Sequence, residues 1–316
     1  MRSSRTSGAW LLTGVLCAAG AMAQVPVEGF NAERFAPSAP GAGWFVMDSL
    51  DMHGDLGGAL SFAARYARDP LRVRAADGRT TAIVTDSAYG QIAGAVTWRS
   101  WRFSVAFDMP LAVKGRTATL DGYRFTGPDV DLGSHPDTVS DVQLGVETRL
   151  LGDHAGAFRL GLGAQLWIPS GKTEEYVTDG TYRGMVRVLF AGDVRWFAYA
   201  GQVGVHIRPR DDGGVPGAPR GSELLFGAAA GAKLLVTETS RVVVGPEVYG
   251  ATAFDGFFKS ETTSAEALLS ARYEGTRSTG AQLRIKLGAG LGLGSQFGTP
   301  SWRVLFAIEM FTHNAP

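Results

Sequence analysis

Residues 157–171 read AFRLGLGAQLWIPSG, and from Phe158 to Ile168 the side chains alternate strictly. Phe158, Leu160, Leu162, Ala164, Leu166 and Ile168 share one face of an extended strand. Arg159, Gly161, Gly163, Gln165 and Trp167 share the other, because residues i and i+2 point the same way. In a soluble sandwich the apolar face is buried and the polar face is wet. In a membrane barrel the apolar face meets lipid and the polar face lines the lumen. One strand fits both, so the choice rests on the rest of the chain.

The same alternation recurs after a Pro- and Ala-rich lead at 25–43. It predicts about 12 strands, at 56–74, 80–98, 101–112, 140–151, 157–168, 181–191, 196–208, 222–236, 241–253, 263–273, 281–294 and 301–311. Most are far longer than the five or so residues usual in soluble sheets. The connections alternate as well. RS (99–100), GDHAG (152–156), GDVR (192–195), TETS (237–240) and EGTRSTG (274–280) are short, whereas 113–139, 169–180, 209–221 and 253–262 are mostly longer and rich in Gly, Pro and Asp. Short turns at one end and long loops at the other are the pattern of periplasmic turns and extracellular loops. An even strand number then puts both termini in the periplasm.

Parity sorts the strands into two faces. One carries Phe103, Val105, Phe107, Met109, Leu144, Leu162, Val186, Val188, Val203, Leu287, Val304 and Phe306 without a charge. The other carries Arg102, Asp108, Glu147, Arg149, Arg159, Gln165, Arg183, Arg187, Gln202, His206, Glu247, Glu266, Arg272, Gln282, Arg284, Lys286, Arg303 and Glu309. On the apolar face Trp98, Trp101, Phe158, Phe190, Phe197 and Tyr273 fall beside the short turns, with Tyr182, Phe254 and Trp302 near the long loops. Two aromatic belts around an aliphatic band match the interfaces of a bilayer. The sequence therefore predicts an all-β, antiparallel transmembrane barrel with a charged lumen.

Composition agrees. Glycine, 43 of 316 residues, is about twice its average usage without a collagen period. Lys plus Arg and Asp plus Glu are each 30, a net charge of zero that offers nucleic acid no basic surface. Arg2 and Arg5 precede the apolar run AWLLTGVLCAAGAMA, whose Ala21 and Ala23 make a secretory cleavage site before Gln24. Cys17, the only cysteine, lies in that run, and Gly14, Val15 and Leu16 before it do not fit lipoprotein processing. The mature chain is thus expected to be free of cysteine and disulfides. Outside the leader no stretch is apolar enough for a membrane helix, and mean hydropathy is +0.03.

Four segments resemble the barrel half of the outer-membrane protein A family and related transporter-like barrels of Gram-negative bacteria. They are NAERFAPSAPGAGWFVMDSL (31–50), LGLGAQLWIPSGK (160–172), GSELLFGAAAGAK (221–233) and VVVGPEVYGAT (242–252). The resemblance implies an outer-membrane location and a role in integrity or passive permeation. Members of that family usually continue into a soluble domain that grips peptidoglycan through an Asp and an Arg, whereas this sequence stops at Pro316, so no residue is carried over for that role. The final strand SWRVLFAIEMF (301–311) also resembles the C-terminal signal read by barrel-assembly machinery.

Candidate chemistry is sparse. Arg102, Glu147, Arg149, Arg159, Arg183, Arg187, Glu247, Arg272, Arg284, Lys286, Arg303 and Glu309 either set the selectivity of a pore or pair across strands and fill a narrow barrel. The loop GPDVDLGSHPD (127–137) gathers Asp129, Asp131, Asp137 and His135, but without the spacing of a calcium loop, so a solvated acidic loop is expected. GAAAGAK (227–233) and LGAGLGLG (287–294) lack the spacing of phosphate loops and read as small residues on curved strands. None of His53, His135, His154, His206 and His313 has a nearby serine and acid on a lipid-facing strand, so no catalysis, metal or cofactor is expected.

The expectation is therefore a leader at 1–23, a periplasmic lead at 24–54, a barrel at 55–311 and a short periplasmic tail at 312–316. Passive diffusion of small solutes through the charged lumen is the leading function. The alternatives are a closed structural barrel working through its long loops, chiefly 113–139, and a lipid-modifying enzyme. Expected partners are outer-membrane lipids, the barrel-assembly machinery during biogenesis, and small solutes.

Overall fold

The computed structural model describes residues 24–313 except 53, 136–138, 155, 213, 277–280 and 295–296. The expected leader, Cys17, His53 and Asp137 lie outside these, as does the tail beyond 313. Twelve long strands form the fold: β1 (Gly57–Arg74), β2 (Thr80–Trp98), β3 (Trp101–Gly115), β4 (Val142–Leu151), β5 (Arg159–Ile168), β6 (Arg183–Val194), β7 (Phe197–Ile207), β8 (Glu223–Leu234), β9 (Ser240–Ala253), β10 (Thr263–Thr276), β11 (Gln282–Gly292) and β12 (Trp302–His313). Each pairs antiparallel with the next. β12 then pairs with β1, from Trp302 opposite Arg68 to His313 opposite Gly57, which closes the barrel and leaves no open edge.

Alternation explains both the strands and the closure. Outward residues include Phe103, Phe107, Leu162, Val186, Val188, Val203 and Leu287, each more than 40 % exposed, and apolar side chains in this number and continuity require a hydrocarbon solvent. Trp98, Trp101, Phe158 and Tyr273 stand exposed near the short turns, and Tyr182, Phe254 and Trp302 near the long loops. Bulky outward rings sit over glycines of the adjoining strand: a Cβ on Gly201 would lie 2.2 Å from the Phe190 ring opposite it. Part of the glycine content follows from that close cross-strand packing.

The long-loop end carries extra structure. Within 113–139, which the sequence shows only as a loop, Ala118–Leu120 and Tyr123–Phe125 form a hairpin, and Asp129–Asp131 extends the sheet beside β3. Val25–Pro26 joins the hairpin as a parallel strand. Beneath it Phe30, Leu71, Val73, Phe125, Val130, Tyr176 and Phe297 make an apolar cap across the barrel mouth.

The largest departure from expectation is the lead. Instead of lying outside the barrel, it runs down the lumen. Ala32 N donates to Tyr176 O at the long-loop rim (3.0 Å), and Arg99 N donates to Gly54 O at the short-turn rim (3.1 Å). Between these points Trp44, Phe45, Val46, Met47, Leu50 and Met52 form a buried core with Leu189, Val243, Leu268 and Leu305 of the wall. The described ends of the chain therefore lie at opposite rims, Val25 beside Tyr123 and His313 beside Gly57, rather than together at the short turns. The physical reason is complementarity: the lead mixes acids with large apolar side chains, and the inner wall is basic and pitted with glycine.

Candidate functional site in the barrel lumen

The wall charges expected from parity all face inward. Glu147, Glu247, Arg159, Arg284, Arg303 and Glu309 are at most 2 % exposed, Arg149 is half-buried, and the face expected to be wet is largely dry. Some pairs join strands of the wall. Arg284 donates to Glu274 (2.9 Å) and Glu309 (3.0 Å), Arg303 to Glu266 (3.0 Å), Arg187 to Glu147 (3.3 Å) and Arg159 to Asp193 (2.7 Å). Arg272 lies 3.0 Å from Glu274, and Arg183 2.7 Å from Asp141.

Others are completed by the lead. Arg102 holds Asp48 with two bonds of 3.0 and 3.1 Å. Glu33 accepts from Arg65 (2.9 Å) and from Arg303, while Arg34 grips Glu223 through both terminal nitrogens. Glu247, at mid-barrel, accepts Phe45 N and Val46 N at 3.0 Å each, so one buried carboxylate satisfies two successive backbone donors. Lys286 bridges Glu309 (2.6 Å) and Trp44 O (3.1 Å), and Arg149 donates to Met52 O (2.6 Å). The rings of the lead lie under wall cations, Trp44 under Arg272 at 4.3 Å and Phe35 under Arg303 at 4.9 Å.

Wall glycines receive the apolar side chains of the lead. A Cβ would lie 2.9 Å from Trp44 at Gly231, 2.8 Å from Phe45 at Gly288, 2.3 Å from Met47 at Gly227 and 2.7 Å from Leu50 at Gly161. Three of these, Gly227, Gly231 and Gly288, belong to the runs that resemble phosphate loops only superficially. All three lie in strands, where the missing Cβ makes room for the lead.

At the rims, Asp179 in the β5–β6 loop accepts Asn31 N (2.9 Å) and holds Arg208. Burial works to raise the Asp179 carboxyl, but Arg208 and Arg183 outweigh it and hold it below its ordinary value. At the other rim His154 Nδ1 meets Asp51 at 2.6 Å. In the acidic loop Lys114 lies 2.7 Å from Asp129 and 3.3 Å from Asp131, so a lysine occupies the place between them that a cation would need. His206 is buried against Trp167 and near Glu223. Among the described residues no three His, Cys, Asp or Glu side chains are grouped to hold a metal.

Among the described residues two of the roomier cavities lie above the packed core, in the long-loop half. A chamber of about 80 Å³ lies beside Glu33–Pro37 against Trp167, Arg183, Gln202 and His206. A wider vestibule of about 370 Å³ opens at the mouth between the β1–β2 hairpin and the β7–β8 and β9–β10 loops. Arg34 and Ser264 line both. Sequence reading missed the lead residues Glu33, Arg34 and Asp48. It also missed Arg65, whose parity on β1 was available as a signal, and Arg208, which follows the last residue of β7.

No family model and no curated protein matches this chain. Among solved structures it is similar to an outer membrane channel from Pseudomonas putida F1, at 11 % identity and a TM-score of 0.53, over 82 % of this chain and 95 % of the other. It is also similar to the NanC porin, at 9 % identity and a TM-score of 0.46, over 82 % of this chain and all of the other. A third likeness is to LpxR from Salmonella typhimurium, at 12 % identity and a TM-score of 0.41, over 80 % of this chain and all of the other. At these identities the likeness is one of fold. The sequence segments that resemble the outer-membrane protein A family gain no residue-level support from it.

Proposed function

We propose that this chain is an outer-membrane channel, exported through a cleaved leader, that is shut while its lead occupies the lumen. Small solutes diffuse through passively when the lead is displaced. One observation carries the reading: Arg65, Arg102 and Arg303 of the wall take counter-charge from Glu33 and Asp48, which belong to the lead. Without the lead the wall is basic and hydrated, as a pore for small anions needs. The shared fold with a Pseudomonas outer membrane channel supports the location and the class. On this reading the short turns face the periplasm, lipids solvate the outer face, and barrel-assembly machinery inserts the chain. The barrel carries out no chemical step.

A second reading, a permanently plugged barrel acting through its long loops, is favoured by the tight core around Met47, Leu50 and Met52, each 0 % exposed. Planar-bilayer recording of the refolded chain from Gln24 onward, under a salt gradient, separates the two. The channel reading predicts brief discrete openings that prefer anions. Silence, with insertion proved by heat-dependent gel mobility, supports the plug.

A further inference from the structure

Almost every arginine inside the barrel lies against a carboxylate or a backbone carbonyl of the chain. The vestibule at the mouth is less completely neutralised. Arg72, Arg74 and Arg220 line it together with Arg34, and among the described residues none of the first three has a carboxylate within 4.0 Å. Arg72 is pre-positioned: its Nη2 donates to Gly294 O (2.8 Å) and Thr299 O (3.1 Å), while its Nε is buried without a partner. The acids of the vestibule have hydrogen-bond partners other than these three arginines. Glu223 holds Arg34, Asp121 accepts Ala76 N (2.8 Å), and Glu261 accepts Ser260 Oγ (2.9 Å).

We infer that this vestibule is a binding site for a small multivalent oxyanion, a diphosphate or phosphate-bearing solute arriving from outside. A single carboxylate is satisfied by one guanidinium fork, whereas three guanidinium groups without a carboxylate partner around one cavity match the several oxygens of a phosphate. About 370 Å³ is within the range of pockets that enclose small organic ligands. The walls come from β1, from the β7–β8 and β9–β10 loops and from Phe297, so the site lies inside the ring of loops rather than on the face toward lipid. Arg34 links it to the lead, since an anion reaching the floor competes with Glu223 for that guanidinium.

Binding is independent of conductance, so this site and the channel reading fail separately. The test is calorimetric titration of pyrophosphate into the detergent-refolded chain, free of lipopolysaccharide. Saturable one-to-one binding that weakens with added salt is expected. Replacing the three arginines together (R72Q, R74Q, R220Q) should weaken it at least tenfold. R79Q, on the same hairpin but paired with Asp77, should stay within twofold. If the triple variant does not refold, R74Q alone removes one exposed side chain and should cost about threefold. No saturable binding by the wild-type chain, or equal binding by the variants, overturns the site. So does displacement of pyrophosphate by lipopolysaccharide but not by soluble phosphate esters, which would assign it to a lipid headgroup.

Discussion

Asp48 of the lead lies bidentate on Arg102 of β3, at 3.0 and 3.1 Å, with both side chains no more than 2 % exposed. A buried pair of this kind contributes little net stability against an apolar replacement, yet removing one partner strands the other charge. Asp48→Ala should therefore cost about 3 kcal/mol in urea unfolding from micelles, and Asp48→Leu combined with Arg102→Met much less. A double variant that costs as much as its two single variants summed would show that the pair is not coupled.

At the Gly288 socket a Cβ would meet the Phe45 ring first, and its three nearest atoms include no backbone. Gly288→Val should push Phe45 out of its seat and destabilise the seated lead by about 1–3 kcal/mol, the usual cost of overpacking. Proteolysis should then reach the lead faster while the barrel keeps its heat-dependent mobility. Unchanged protection would mean that the socket is looser than the structure shows.

Facing is tested by label and by charge. Leu162 is 43 % exposed on the outer face and Leu189 0 % exposed on the inner. Lipid-soluble probes should modify Leu162→Cys and spare Leu189→Cys. Leu162→Arg or Val188→Arg should cost about 2–4 kcal/mol near mid-membrane. The reverse labelling pattern would invert the parity of the whole barrel.

Acid should loosen the rim anchor of the lead. The folded Asp179 carboxyl is held below its ordinary value, burial being outweighed by Arg208 and Arg183, so its stabilisation is complete above the unfolded value near 3.9. It is lost only as pH falls through the lower folded value. Protease protection of residues 24–31 should thus be the same at pH 7 and pH 5 and decline only in strong acid, while Asp179→Asn should lower it already at pH 7. Loss of protection between pH 7 and 5 in the wild-type chain would place the anchor on another group.

All 12 strands were legible, within three residues at each end, because period-two alternation and turn length are local signals. The belts and the inward arginines followed from parity alone. The route of the lead was not legible. Its contacts join residues such as Glu33 and Arg303, or Asp48 and Arg102, that are far apart in sequence, and its mixed composition has no period that names a target. Gly227, Gly231 and Gly288 read as curvature for the same reason, since a missing side chain does not reveal what fills its place. Arg208 shares the parity of Gln202 and His206 in the predicted strand 196–208, so its direction was legible and only its role was missed, although the strand itself ends at Ile207.

A reversible lock tests whether the seated lead closes the pore. Cβ atoms at Gly41 and Ala59 would stand 4.0 Å apart, within disulfide range, although Gly41 has φ +84° and Cys there adds about 1 kcal/mol of strain. Gly41→Cys with Ala59→Cys, in the chain beginning at Gln24, places the only two cysteines where they tie the lead to β1. A silent bilayer under oxidation and discrete anion-preferring steps after reductant is added are expected. Steps of equal size and frequency in both states would contradict closure by the lead.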